Sequence, residues 1–118
     1  MTYRHLLETL DDYALLEDGW DSDGAPPINP QSIMSARLLV KQLSTTNIPA
    51  PTIYISGDGE IGFNWRSGIK VASVSWLHEG RTILYLHDFV KVIGVKDAGA
   101  DDLANFVKEL SRFGPTCT

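Results

Sequence analysis

The residues of this chain best suited to chemistry are few and scattered. Asp18, Asp21 and Asp23 followed by Gly24 offer closely spaced carboxylates of the kind that ligate calcium. Their spacing fails the EF-hand test. Placing Asp21 and Asp23 at the third and fifth loop positions puts Gly19 first and Pro30 where a bidentate Glu belongs. Asp21 and Asp23 are expected to hold turns through nearby backbone amides. His78, Glu79, His87 and Asp88 suggest a metal or acid-base site. With Glu79-Gly80 as a two-residue turn, however, His87 faces Ala72, and the two histidines stand roughly 20 Å apart. His5 has no predicted partner.

Ser73 and Ser75 lack the Gly-x-Ser-x-Gly elbow of a serine nucleophile. Gly57-Asp58-Gly59 lacks the Lys-Ser/Thr ending of a phosphate loop, so it reads as a turn. Phe63, Trp65, Trp76 and Tyr85, with Arg66, Lys70 and Arg81 near the strand ends, resemble a base-stacking platform. The acidic balance and the lack of a basic stripe argue for core aromatics instead, and against nucleic acid as the partner. No catalytic residue, metal ligand or cofactor site is expected.

The elements that carry these residues are legible from periodicity. Tyr3, Leu6, Leu7, Leu10, Tyr13 and Ala14 recur at helical intervals, predicting a helix from Tyr3 to about Leu16, stopped at Asp18-Gly19. Pro26-Pro27 forces an extended path. Asn29-Pro30 then reads as cap and first turn of a second helix, running to about Ser44. Its apolar residues Ile33, Met34, Ala36, Leu38, Leu39, Val40 and Leu43 make a wide inward stripe, with Arg37 and Lys41 outside.

After the loop Thr45–Pro51 the period becomes two. Strands are predicted at Thr52–Ser56, Glu60–Trp65, Lys70–His78 and Arg81–Asp88, with Val90–Val95 a fifth strand or a continuation of the fourth. The Glu79-Gly80 turn sets Trp76 opposite Ile83 and Val74 opposite Tyr85, with Leu77, Leu84 and Leu86 on the other face. A last helix spans Ala100 to Phe113, with Leu103, Phe106, Val107 and Leu110 inward and Gly114-Pro115 ending it. The expected architecture is one α+β domain over residues 1–118: two N-terminal helices, a four- to five-stranded antiparallel meander sheet, and a C-terminal helix. The helices should cover one sheet face, leaving the other partly covered or meeting a partner.

The net charge of −5 is unevenly placed. Residues 1–30 hold seven acids against Arg4, whereas the remainder holds eight acids and nine bases. Such an end repels phosphate and anionic lipid and attracts a basic partner. Asp11, Asp12, Asp18, Asp21 and Asp23, together with Trp20 as an aromatic anchor, are therefore the candidate partner-binding residues. Folding of the Trp20 ring back onto the helices is the competing expectation. The single cysteine, Cys117, is expected to be inert. With no signal-peptide pattern and no apolar span, the expected setting is cytoplasmic and away from membranes.

Gly19-Trp20-Asp21-Ser22-Asp23-Gly24-Ala25-Pro26-Pro27-Ile28 and Asp58-Gly59-Glu60-Ile61-Gly62-Phe63-Asn64-Trp65 together resemble an uncharacterised group of small bacterial proteins. That group carries a Gly-Trp-Asp-Gly-x-Gly-Ala-x-Pro-Ile segment, a Pro-rich link and an Asp-Gly-x-Ile-x-x-x-Trp hairpin. The likeness spans about residues 6 to 66, with Ser22 where the group has Gly. It implies a bacterial or phage origin and a single fold, and supplies no catalytic residue. The expected function is a non-catalytic, acidic interaction module that binds and blocks a protein partner, as an antitoxin, immunity protein or anti-defence inhibitor does. The alternatives are a ligand-binding or enzymatic domain with a pocket among Trp20, Trp65 and Trp76, and a homodimer formed through the second sheet face.

Overall fold

The computed structural model describes residues 2–17, 19–21, 24–87 and 92–113. Helix α1 (Tyr3–Ala14) starts at Thr2, whose hydroxyl accepts the His5 amide at 3.1 Å. It ends earlier than the periodicity predicts. Leu15 and Leu16 donate back to Asp12 and Tyr13 carbonyls, tightening the last turn well before Gly19. Helix α2 (Pro30–Leu43) starts at Asn29, whose side-chain oxygen accepts the Gln31 amide at 2.9 Å, with Pro30 at the first helical position.

Strands β1 (Thr52–Ile55), β2 (Ile61–Ser67), β3 (Lys70–Trp76), β4 (Thr82–His87) and β5 (Val92–Lys96) form one antiparallel sheet in chain order, followed by helix α3 (Ala100–Phe113). The fifth strand is thus separate from the fourth. The expected extensions through Asp88 and Val90, and the stop at Gly114-Pro115, lie outside the described residues, as does Cys117.

Two hairpins share one loop design. Ser56 N–H bonds Glu60 O at 2.9 Å around Gly57-Asp58-Gly59, and Leu77 N–H bonds Arg81 O at 2.9 Å around His78-Glu79-Gly80. In each the third loop residue is a glycine with positive φ, 85° at Gly59 and 93° at Gly80, which closes a turn followed by a bulge. The second loop is therefore one residue longer than the expected Glu79-Gly80 turn. That single residue shifts the register: Trp76 pairs with Thr82, Val74 with Leu84, Ala72 with Leu86, and Val71 with His87. The expected pairs Trp76 with Ile83, Val74 with Tyr85 and Ala72 with His87 are each displaced by one. Leu84 and Leu86 consequently share the Trp76 face, and Ile83, Tyr85 and His87 take the opposite one.

The corrected register builds continuous apolar rows across the sheet, such as Ile53, Phe63, Val74, Leu84 and Val95. Leu6 and Leu10 of α1, Ile33, Leu39, Val40 and Leu43 of α2, and Phe106 and Leu110 of α3 join this same buried cluster. The Phe63 and Trp76 rings meet edge to face at 5.2 Å, and Trp65 meets Phe106 at 6.2 Å. All three helices thus lie on one side. Met34 and Leu38, assigned to the inward stripe of α2 from the sequence, instead stand exposed on its outer side. Seven apolar residues in fourteen cannot all fit the arc that one helix face turns to the core.

Candidate interaction surface at the connector end

The connector between α1 and α2 is pinned at several points. Gly19 N–H bonds Ala25 O at 2.7 Å, Asp21 Oδ1 accepts the Ala25 amide at 3.0 Å, and the Trp20 indole N–H donates to Pro26 O at 2.7 Å. The half-buried Trp20 ring packs against the main apolar cluster. A Cβ built on Gly57 would lie 3.0 Å from Asp21 Oδ2, so the connector's carboxylate rests against the β1–β2 loop. Asp21 thus holds a turn, as such residues commonly do, with its second oxygen beside Gly57.

Neighbouring groups tie the same end together. Asn29 Nδ2 donates to His78 O at 2.8 Å, and Ser32 Oγ donates to Leu77 O at 3.3 Å, linking the α2 start to the β3–β4 loop. The His78 ring lies over Gly59, where a Cβ would approach Nδ1 to 2.9 Å. The Asp58 carboxyl is held below its ordinary value, first by the Ser56 hydroxyl and then by backbone amides, with His78 adding a smaller contribution. The result is a polar end carrying Asp21, Asn29, Asp58 and His78 on fixed loops. Among the described residues, no group of three His, Cys, Asp or Glu is placed to hold a metal ion.

The other sequence candidates fall in different places. Asp11 pairs with Arg37 across the α1–α2 interface, both partly exposed. Asp12 stands exposed on the outside of α1. Asp18 and Asp23 lie outside the described residues. His87 pairs with Val71, at the far end of β4 from the His78 loop, so the two histidines are well apart. Trp65 and Trp76 are core residues at 4% and 1% exposure, and the Trp65 indole N–H is satisfied by Pro49 O at 2.9 Å.

The sheet face away from the helices is the one that the sequence offered for a homodimer. By strand alternation it carries Tyr54, Asn64, Ser73, Ser75 and Tyr85, and Tyr85 keeps 40% of its surface. Of the aromatics grouped as a stacking platform, only Tyr85 lies on this face. Among the described residues, no helix is long and apolar enough to cross a membrane. No protein-family model, curated protein or solved structure matches the chain.

Proposed function

We infer that the protein is a non-catalytic, acidic interaction module that binds and blocks a protein partner with a basic surface. An antitoxin, an immunity protein or an anti-defence inhibitor of a bacterium, phage or mobile element has this character. The observation that carries the reading is the pinned connector. Trp20, Asp21 and the loop hydrogen bonds pin the described parts of the connector, residues 19–21 and 24–28, so that Asp21 is fixed beside the β1–β2 loop. Preorganisation of this kind lowers the ordering cost of association, and grouped carboxylates steer a basic partner towards it.

The test is affinity purification of the tagged protein from its host, beside a variant with Asp11, Asp12, Asp21 and Asp23 changed to Asn. The expected result is a specific partner retained by the parent and lost from the variant, with binding that weakens as salt rises. A partner held equally by both would remove the acidic surface from recognition. No partner in either sample would turn attention to a small-molecule ligand.

A further inference from the structure

The two edges of the sheet differ in how many backbone groups they leave without a strand partner. The Leu77 amide bonds Arg81 O and the Ala98 amide bonds Thr82 O, so alternation along β4 turns Thr82, Leu84 and Leu86 towards β5. Val95 and Ile93 face β4 in return. Val92, Gly94 and Lys96 therefore direct their N–H and C=O groups outward. The same count from the Ser56–Glu60 bond leaves β1 only Ile53 and Ile55 facing out, on a four-residue strand that follows Pro51. Shortness and a flanking proline are usual protections of an edge. β5 holds no proline and no inward-pointing charge, and all three of its outward residues are exposed, Val92 to 64%.

The β1 edge shows what fits beside a glycine of this sheet. Tyr54 on β1 pairs with Gly62 on β2 at a hydrogen-bonded position, its ring crosses the glycine, and its hydroxyl meets Ser75 Oγ on β3 at 2.6 Å. Gly94 lies on the same uncovered face and pairs with Tyr85 on β4, which keeps 40% of its surface. A Cβ at Gly94 would meet nothing within 4 Å, so no ring crosses this second glycine. Gly94 and Tyr85 thus repeat the places of Gly62 and Ser75, with the outermost strand missing.

We propose that β5 receives an extended segment of a partner protein as a sixth, antiparallel strand, whose aromatic side chain opposite Gly94 reaches across the glycine to Tyr85. The outward main-chain groups specify an extended polypeptide, and the open place at Gly94 specifies its large side chain. Lys96, exposed and outside every ion pair among the described residues, selects an acidic residue two positions before the aromatic one. Val92 selects an apolar residue two positions after it. A second copy fits poorly. Pairing β5 with β5 through all three outward residues centres on Gly94, sets glycine against glycine and leaves the open place empty. β5 is the edge opposite β1, whose hairpin loop meets the connector, so this contact is separate from the acidic end.

The probe is acetyl-Thr-Glu-Thr-Tyr-Thr-Val-Thr-amide, titrated to about 1 mM into the isotope-labelled protein and followed by amide NMR. The expected signature alternates: the Val92, Gly94 and Lys96 amides shift and gain exchange protection, whereas those of Ile93 and Val95, already bonded to β4, change little. Replacing the Tyr of the peptide by Ala weakens binding about threefold or more. Gly94→Thr puts a Cβ where the ring crosses, in space that is open in the free protein, so the variant keeps its fold by circular dichroism and binds the two peptides alike. Lys96→Glu weakens the parent peptide about threefold and favours one carrying Lys in place of Glu. Asp21→Asn leaves peptide binding unchanged.

No response at the three outward amides, or a preference for Tyr that persists in Gly94→Thr, overturns the proposal. Shifts gathered at Asn64 and Ser73 overturn it too, because they place the peptide on the face of the sheet. So does protection of the β5 amides that appears without peptide as the protein is concentrated, with a mass rising above 13.0 kDa in sedimentation velocity, which assigns the edge to a second copy.

Discussion

Tyr54 on β1 lies across Gly62 on β2: a Cβ at Gly62 would sit 2.4 Å from Cε1, Cζ and the hydroxyl of the ring. The ring bridges the glycine to reach β3, where its hydroxyl shares a 2.6 Å hydrogen bond with Ser75 Oγ. Glycine is required here for space. A single methyl group would displace the ring and break a contact that ties three strands together on the uncovered face.

The Gly62→Ala variant should therefore lose about 1–3 kcal/mol, the usual cost of forcing a methyl into filled space. Thermal unfolding followed by circular dichroism reads this directly. Adding Tyr54→Ala removes the clash, so the double variant should be more stable than the two single losses predict by addition. Strict additivity would show that the ring leaves Gly62 without cost.

Trp20→Phe keeps most of the packed ring but removes the donor to Pro26 O. The expected loss is about 1 kcal/mol of stability, the net contribution of one such hydrogen bond. The more telling measurement is amide exchange. The Gly19 and Ala25 amides, bonded to Ala25 O and Asp21 Oδ1, should exchange faster in the variant, whereas amides in the sheet should not change. Unchanged exchange at both positions would show that the indole does not hold the connector.

Asp58 gives a pH dependence whose sign is set by its environment. The Ser56 hydroxyl and the Glu60 amide favour its charged form, so its folded pKa lies below the ordinary 3.8. The stability that this contributes is present above pH 3.8 and is lost as pH falls through the lower folded value. Asp58→Asn removes that contribution, so the variant should be less stable than the parent at neutral pH, converge with it below the folded value, and show a flatter acid limb in that window. An acid limb identical to the parent's would assign the sensitivity to other carboxylates.

The uneven legibility of these features follows the range of the forces behind them. The Asn29-Pro30 helix start and the Gly57-Asp58-Gly59 loop depend on a few adjacent residues, and both stand where the pattern placed them. Tyr54 over Gly62 joins two strands through a close approach. A glycine inside a strand is the only sequence signal for it, and it does not identify the ring that fills the space. Trp20 likewise left open whether its ring faced solvent or core, since Pro26 O becomes its acceptor only once the connector has closed.

By itself the sequence determined the order of two helices, a meander and a last helix, because hydrophobic period and capping chemistry act within a turn or two of chain. It also determined that acid gathers in the first thirty residues. The tertiary structure decided the β3–β4 register. His78-Glu79-Gly80 accommodates either a two- or a three-residue loop locally, and the choice flips every side chain of β4. Only the three-residue loop turns Leu84 and Leu86 towards the helices beside Trp76, both at 1% exposure. Burying those two leucines against α3 and the Trp76 side of the sheet outweighs any local turn preference, since each contributes about 1.5–3 kcal/mol when taken from water. A force that acts between elements far apart in the chain therefore chose what the loop residues left open.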